Sequence, residues 1–282
     1  RWVVDVDLEQ FFDRVNHDVL MGRLAKRITD KRLLRLIRRY LEAGMMANGI
    51  VMDREEGTPQ GGPLSPLMAN VLLDEVDKEL EKRGHAFARY ADDCNVYVQS
   101  ERAGKRVMEA LKNLYAGLRL KVNESKSAVA RVWTRKFLGH CFWVAKGGEV
   151  KMRVAPKALK KMKDRIRKIT SRKSGKSMKM VVRELQRYLP GWKEYFRLVD
   201  TQSRFRLLDG WLRRRLIAIQ LKQWRHGGKT YRTLRARGVP GHVAKRAAIH
   251  VRSWWRISKE KALHIAFPTR HFDLLGVPRL AA

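Results

Sequence analysis

The tetrapeptide Tyr90-Ala91-Asp92-Asp93 constrains this chain more than any other feature, because it sets two adjacent carboxylates between two short apolar runs. The run before it, 86–90, and the one after it, 95–98, carry the aromatic and β-branched residues of strands. The segment therefore predicts a hairpin whose tip projects the acids. A third acid, Asp7, ends a separate apolar run that starts at Trp2, and it would join the pair if the two strands were neighbours. Taken alone, Asp-Asp at a turn is ordinary turn chemistry. In combination, Asp7 and Asp92 are suited to bridge two divalent cations, with Asp93 in support and the Leu8 carbonyl as a backbone oxygen ligand. Hard oxygen donors of this kind select Mg²⁺ rather than zinc.

Charge narrows the partner. The 282 residues hold 62 Lys+Arg against 28 Asp+Glu, a net +34, well beyond what solubility requires and characteristic of polyanion binders. Residues 1–150 carry a net +5, whereas residues 151–282 carry 36 basic and 7 acidic side chains, a net +29. The second part reads as a cationic clamp, and the bland alternative is a solvated helical surface. Hydrophobic residues make up 44% of the chain, enough for a packed core. No run approaches the roughly 20 apolar residues of a membrane span, and the start lacks a signal-peptide pattern, so the expected location is the cytoplasm. Cys94 and Cys141 have neither disulfide nor zinc spacing, and both are expected to be reduced packing residues.

Periodicity predicts a strand over 2–8, helices over 11–28 and 31–43, and a turn-rich loop over 57–66 that launches a helix with Ser65 as N-cap and Pro66 at its first position. The acid-tipped hairpin follows, then a helix over 101–118, a strand over 128–133, and a hairpin from 136–143 and 150–154 around a Gly147-Gly148 turn. From Pro156 the pattern is helical over 159–169, 180–196 and 205–224, broken by Gly238-Val239-Pro240-Gly241. The tail after Trp255 is too irregular to assign.

Four segments in order, Asp7-Leu8-Glu9-Gln10-Phe11-Phe12-Asp13, Gly57-Thr58-Pro59-Gln60-Gly61-Gly62-Pro63-Leu64-Ser65-Pro66, Tyr90-Ala91-Asp92-Asp93, and Lys126 with Phe137-Leu138-Gly139, resemble the blocks of reverse transcriptases. The basic helical part, with Gly191-Trp192-Lys193-Glu194-Tyr195-Phe196, resembles the thumb or maturase domain of bacterial group II intron reverse transcriptases. The resemblance implies an α+β fold: a palm of antiparallel sheet with packed helices over 1–154, an all-helical basic thumb over 155–240, and a basic C-terminal extension over 241–282 without an endonuclease domain. It implies an RNA-directed DNA polymerase and maturase that binds group II intron RNA, assists splicing, and copies an RNA template from a DNA primer, using dNTPs and two Mg²⁺ ions. A DNA target, nucleoid association, no membrane and no stable protein partner complete that expectation.

The resemblance also assigns roles. Asp7, Asp92 and Asp93 match the catalytic carboxylates, and Lys126 the lysine that protonates the leaving pyrophosphate. Phe12 matches an aromatic gate against the ribose 2′-hydroxyl, although Phe11 competes for the role. Gln60 matches the glutamine lying against the incoming nucleotide, and Phe137-Leu138-Gly139 the primer-grip hairpin. Trp192, Tyr195 and Phe196 share a helical face that reads as core packing. Lys160, Lys161, Lys163, Arg165, Arg167, Lys168, Arg213, Arg214 and Arg215 are the candidate phosphate contacts. The sequence starts inside the palm, without the family's upstream fingers blocks, so weak polymerase activity of this segment alone is expected. The alternative is an RNA-binding splicing factor or decayed remnant without polymerase activity.

Overall fold

The computed structural model describes residues 1–43, 45–47, 50–52, 56–58, 62–200 and 202–281. They divide into two compact units, Arg1–Cys141 and Phe142–Ala282.

In the first unit, β1 (Trp2–Val6) is followed by a 3-10 turn at Phe11–Asp13, then α1 (His17–Ala25) and α2 (Lys31–Glu42). The expected continuous helix over 11–28 is broken between turn and helix. Gln10 adopts a left-handed conformation, and Asn16 caps α1 by accepting the Val19 N–H at 3.0 Å. The backbone between them pairs instead with the segment at 56–58: Val15 O accepts from Gly57 N, and Phe12 O from Thr58 N, at 2.7 and 2.6 Å. Gly57 makes the approach possible, since at φ +90 its missing Cβ would lie 2.7 Å from Asp13 O. A short ribbon, β2 (Met45–Ala47) with β3 (Ile50–Met52), lies between α2 and this segment in the chain. Helix α3 (Ser65–Lys82) starts one residue earlier than expected: Leu64 occupies the N-cap position, and Ser65 is the first, buried helical residue.

Strands β4 (Ala86–Tyr90) and β5 (Asp93–Val98) form the expected hairpin, and α4 (Glu101–Gly117) leads to β6 (Ala128–Arg131). The antiparallel sheet has the order β4-β5-β1-β6. One face of its inner strands is apolar, and Val4, Val6, Cys94 and Val96 there have no solvent exposure. Leu20, Leu41, Leu72, Leu73, Leu111 and Tyr115 from the four helices complete this core. Burial pushes the Cys94 thiol up to about 12, so it behaves as an apolar filler.

The second unit takes in most of the hairpin β7 (His140–Val144) and β8 (Val150–Val154), so the compact division falls after Cys141, not after Val154 as expected. Strand β7 starts later than expected because Phe137 and His140 exchange backbone hydrogen bonds around Leu138 and Gly139, both at positive φ. Helices α5 (Pro156–Ile169), α6 (Met178–Tyr195) and α7 (Gln202–Trp224) follow, then α8 (Gly227–Ala236) and α9 (Gly241–Ile249). The tail assigned no pattern is largely helical: α10 (Trp254–Ile257), α11 (Lys261–Ala266) and α12 (Thr269–Leu274). Its Leu263, Phe267, Phe272 and Leu280 belong to the same core as Leu185, Leu212 and Leu216, so 241–282 is an integral part of this unit and not an appendage. Buried Asp209 fixes the tail by accepting the Leu280 and Ala281 N–H groups at 2.9 and 3.0 Å. Trp192 and Phe196 pack into the core as expected, while Tyr195 is 56% exposed. Among the described residues no helix is long and apolar enough to cross a membrane.

Two glycines on helices make a paired test. Adding a Cβ to Gly104 of α4 would bring it 2.5 Å from Val129 Cγ1 on β6, whereas Gly22 of α1 has nothing within 4 Å. Gly104→Ala is expected to lower unfolding stability by about 1–3 kcal/mol through overpacking. Gly22→Ala is expected to raise it by about 0.5–1 kcal/mol. Chemical denaturation showing the same sign for both would contradict this packing.

Candidate active site

Strand register builds the site. Val6 pairs with Cys94 and Asp5 with Asn95, so Asp7, one residue beyond β1, stands opposite Asp93. Because side chains alternate along a strand, Asp5, Asp7, Asp93 and Asn95 share one face of the sheet. The pair Tyr90 and Asp93 closes a two-residue turn of Ala91 and Asp92, with Ala91 in the left-handed region at φ 52. The structure thus brings together Asp7, Asp92 and Asp93, three residues expected to act together.

The segment before β6 clamps Asp7. Its N–H donates to Ser127 Oγ at 3.1 Å, and its carbonyl accepts from Asn123 N at 2.8 Å and from Ser127 Oγ at 3.3 Å. Lys126 lies in the same segment, and its Nζ donates to Asp7 Oδ1 at 3.1 Å. Leu8 is buried and bridges to Val122, but the bonds of that bridge use Asp7 O and Glu9 N, which leaves the Leu8 carbonyl outside it.

Burial and mutual repulsion act on the acids together. Desolvation first, then the charge of Asp7, raises the Asp92 carboxyl above its ordinary 3.8, against the pull of its own backbone hydrogen bond and of Lys126. Desolvation also raises Asp93, reinforced by Asp5, Asp92 and Asp7 and opposed by Lys136. Asp5 is raised in the same way, mainly by burial, with Arg135 pulling against it. Carboxylate oxygens are the donors that a hard cation selects. Among the described residues, however, no group of three His, Cys, Asp or Glu side chains converges closely enough to hold a metal ion, and Asp7 has Lys126 on one oxygen.

Sequence reasoning missed Asp5 and Arg135. Arg135 Nε donates to Asp5 Oδ2 at 2.6 Å, and its Nη2 donates to the Lys126 carbonyl at 2.5 Å. One guanidinium therefore ties β1 to the segment that carries Lys126. The Asn95 amide, turned to donate, reaches the other Asp5 oxygen at 3.0 Å. The legible signal was Asp5 itself, a charged residue inside a buried strand; nothing local marked Arg135.

The two adjacent phenylalanines separate cleanly. Phe11 is 2% exposed and belongs to the core, while Phe12 is half-buried, with ring centroids 5.1 Å apart at 72°. Gln60 lies outside the described residues. The Thr58 N–H bond to the Phe12 carbonyl nevertheless ties the start of its loop to the Phe12 turn.

In the second unit, Lys160, Lys161, Arg165, Arg167 and Lys168 are exposed on α5 and Lys163 is half-buried. Arg167 pairs with Asp164 at 2.5 Å. Arg213, Arg214 and Arg215 are half-buried on α7, and Arg215 is committed to structure: it donates to Thr170 Oγ1 at 2.5 Å and to the Arg167 and Thr170 carbonyls, closing the C-terminus of α5.

The raised carboxyls give a sign that can be measured. A carboxyl with a raised folded-state pKa holds more proton folded than unfolded, so its contribution to stability declines as pH climbs from 3.8 through the raised value. Asp93→Asn is expected to raise the melting temperature at pH 7 by a few degrees, the gain vanishing below pH 3.8. An Asn variant that is less stable at pH 7 than at pH 3.5 relative to wild type would contradict the electrostatic reading.

Residues 1–142 match the family model described as reverse transcriptase (RNA-dependent DNA polymerase), and residues 159–238 match the group II intron, maturase-specific domain. Protein YkfC of Escherichia coli is 30% identical over 176 residues, covering 50% of this chain and 46% of that protein. The group II intron-encoded protein LtrA of Lactococcus lactis subsp. cremoris is 35% identical over 124 residues, covering 43% and 21%. The chain thus spans less than half the length of either relative. Among solved structures, apo telomerase from Candida tropicalis aligns over 97% of this chain and 50% of that chain at 13% identity and a TM-score of 0.45, a distant likeness. With its paired acids at one end of an antiparallel sheet and a family match that runs over that whole sheet, the chain belongs to the reverse transcriptase family and carries a group II intron maturase-specific domain behind it.

Proposed function

We propose that this protein is an RNA-directed DNA polymerase and maturase that binds group II intron RNA, assists its splicing, and copies RNA into DNA from a DNA primer with dNTPs. The observation that carries the reading is the placement of Asp7 opposite Asp93, beside the turn that holds Asp92. The maturase-specific match and the intron-encoded relative support the choice of RNA.

In this reading Asp7, Asp92, Asp93 and the Leu8 carbonyl would hold two Mg²⁺ ions, which supply activation of the primer 3′-hydroxyl and charge neutralisation at the leaving pyrophosphate. The chain's own residues do the rest. Lys126 has two tasks: at rest its ammonium balances Asp7 at 3.1 Å, and in the reaction it turns to the leaving group and delivers a proton. Arg135 is a positioning residue that keeps the Lys126 segment against β1. Phe12, half-buried over the core phenylalanine, narrows the space for a ribose 2′-hydroxyl and favours dNTPs. The exposed lysines and arginines of α5 supply phosphate contacts, which give affinity without sequence choice.

One observation favours a second reading, an RNA-binding splicing factor without polymerase activity: among the described residues the acids do not converge as a metal site. The two readings separate in a primer-extension assay on an RNA template with Mg²⁺ and dNTPs, run in the intact protein. The expected result is extension that falls at least about a hundredfold in Asp7→Ala or Asp92→Ala, with RNA affinity within about threefold of wild type. Arg135→Met is expected to lower extension less, by roughly tenfold, with dNTP affinity little changed. Absence of extension in the wild type with intact RNA binding would establish the second reading.

A further inference from the structure

The second unit contains a cleft that the exposed lysines of α5 do not use. It lies between α7 and the α11–α12 segment, encloses about 640 Å³, and is walled by Arg206, Arg213 and Arg214 together with Trp211 and Phe267. That volume falls within the roughly 300–1,000 Å³ of sites that take a single small ligand.

Its walls combine aromatic planes with guanidiniums. Trp211 is half-buried, and the Arg215 and Arg167 guanidiniums lie 5.4 and 5.9 Å from its ring. Arg214 lies 4.1 Å from the ring of Trp255. These stacks fix the rings and concentrate positive charge around them.

The cleft carries an excess of positive charge. All seven acids in residues 151–282 have partners of their own, and the charge of Asp273 is also felt by a cleft arginine, Arg213. Asp164, Glu184, Glu194, Glu260 and Asp273 pair with Arg167, Lys176, Arg197, Arg246 and Arg279, and Asp200 and Asp209 accept backbone N–H groups. Among the described residues, Arg206, Arg213 and Arg214 have no carboxylate within ion-pair distance; Arg214 Nη2 donates to the Trp255 carbonyl at 3.4 Å, but its Nε is buried without a hydrogen-bond partner. A buried N–H left unpaired is costly, and an acceptor oxygen of a bound ligand would satisfy it.

We propose that this cleft takes one unpaired nucleotide of the bound RNA, with its phosphate on Arg213 and Arg214, its base against Trp211, and Arg206 at the rim. The inference rests on the RNA-binding reading above and adds to it a subsite for a base that has left the helix. A paired base cannot reach such a ring, because A-form RNA keeps its bases stacked, whereas bulges and loops present theirs to aromatic and guanidinium planes. The site is tolerant of base identity, since every base has a face to stack.

The test uses the full chain and two fluorescent RNA hairpins of equal nucleotide count, one fully paired and one with a single 2-aminopurine bulge. Anisotropy is expected to show about tenfold tighter binding of the bulged hairpin, with the 2-aminopurine emission changed on binding. Trp211→Leu and the exposed-site variant Arg206→Gln are each expected to reduce that preference while leaving the paired hairpin within about threefold. Equal binding of the two hairpins by the wild type, or variants that weaken both equally, would overturn the cleft assignment while leaving the RNA-binding reading standing. Binding of neither hairpin would overturn both.

Discussion

Antiparallel pairing of β1 with β5 holds Asp5 and Asp7 beside Asp93, and the first unit is arranged around the cost of that juxtaposition. Burial first, and the repulsion of neighbouring carboxylates second, makes Asp5, Asp92 and Asp93 all resist ionisation. The opposite face of the same strands supplies the compensation. Val4, Val6, Cys94 and Val96 are fully buried there under the helices, and a one-residue slip of register would exchange the acids for the valines. The register that maximises apolar burial is therefore also the one that gathers the carboxylates. Lys126 and Arg135 relieve the remaining charge from the third strand's side.

Much of this was legible in the sequence, for reasons that differ by element. The hairpin at 86–98 combined strand-forming residues with a turn that only one topology could close, and its acids fell where the spacing placed them. Helix α2 declared itself through the apolar stripe of Leu33, Leu34, Ile37 and Leu41, and the structure adds Asp30 as its cap. The break between Phe11 and His17 was invisible, because it is caused by Gly57 and Thr58 approaching from a distant part of the chain. Distance in sequence also hid Arg135, whose partners Asp5 and Lys126 meet only after β6 joins the sheet. The tail defeated periodicity because its helices are too short to show a repeat, the longest being six residues. Packing against the core of α6 and α7 defines them instead.

The basic half divides into arginines with different work. Arg215 is bound to the end of α5, so its loss would act through packing as well as charge. Lys160, Lys161 and Lys168 face solvent on one helix, and among the described residues they cap no helix end. Composition had grouped all of them by sign alone. The structure separates them by geometry, since a guanidinium that caps a helix and one that lines a cleft carry the same charge at very different electrostatic cost.

The position of β1 inside the sheet has a bearing on the order of assembly. Trp2 pairs with Val98 on one side and with Arg131 on the other, so β1 has neighbours that appear only much later in the chain. During synthesis one edge of the apolar run from Trp2 to Val6 waits for β5 and the other for β6, and closing the two edges carries the entropy of two long loops. Folding of the first unit is thus non-local and slow relative to its helices, and through that interval the strand that bears the site has edges open to pairing with another copy.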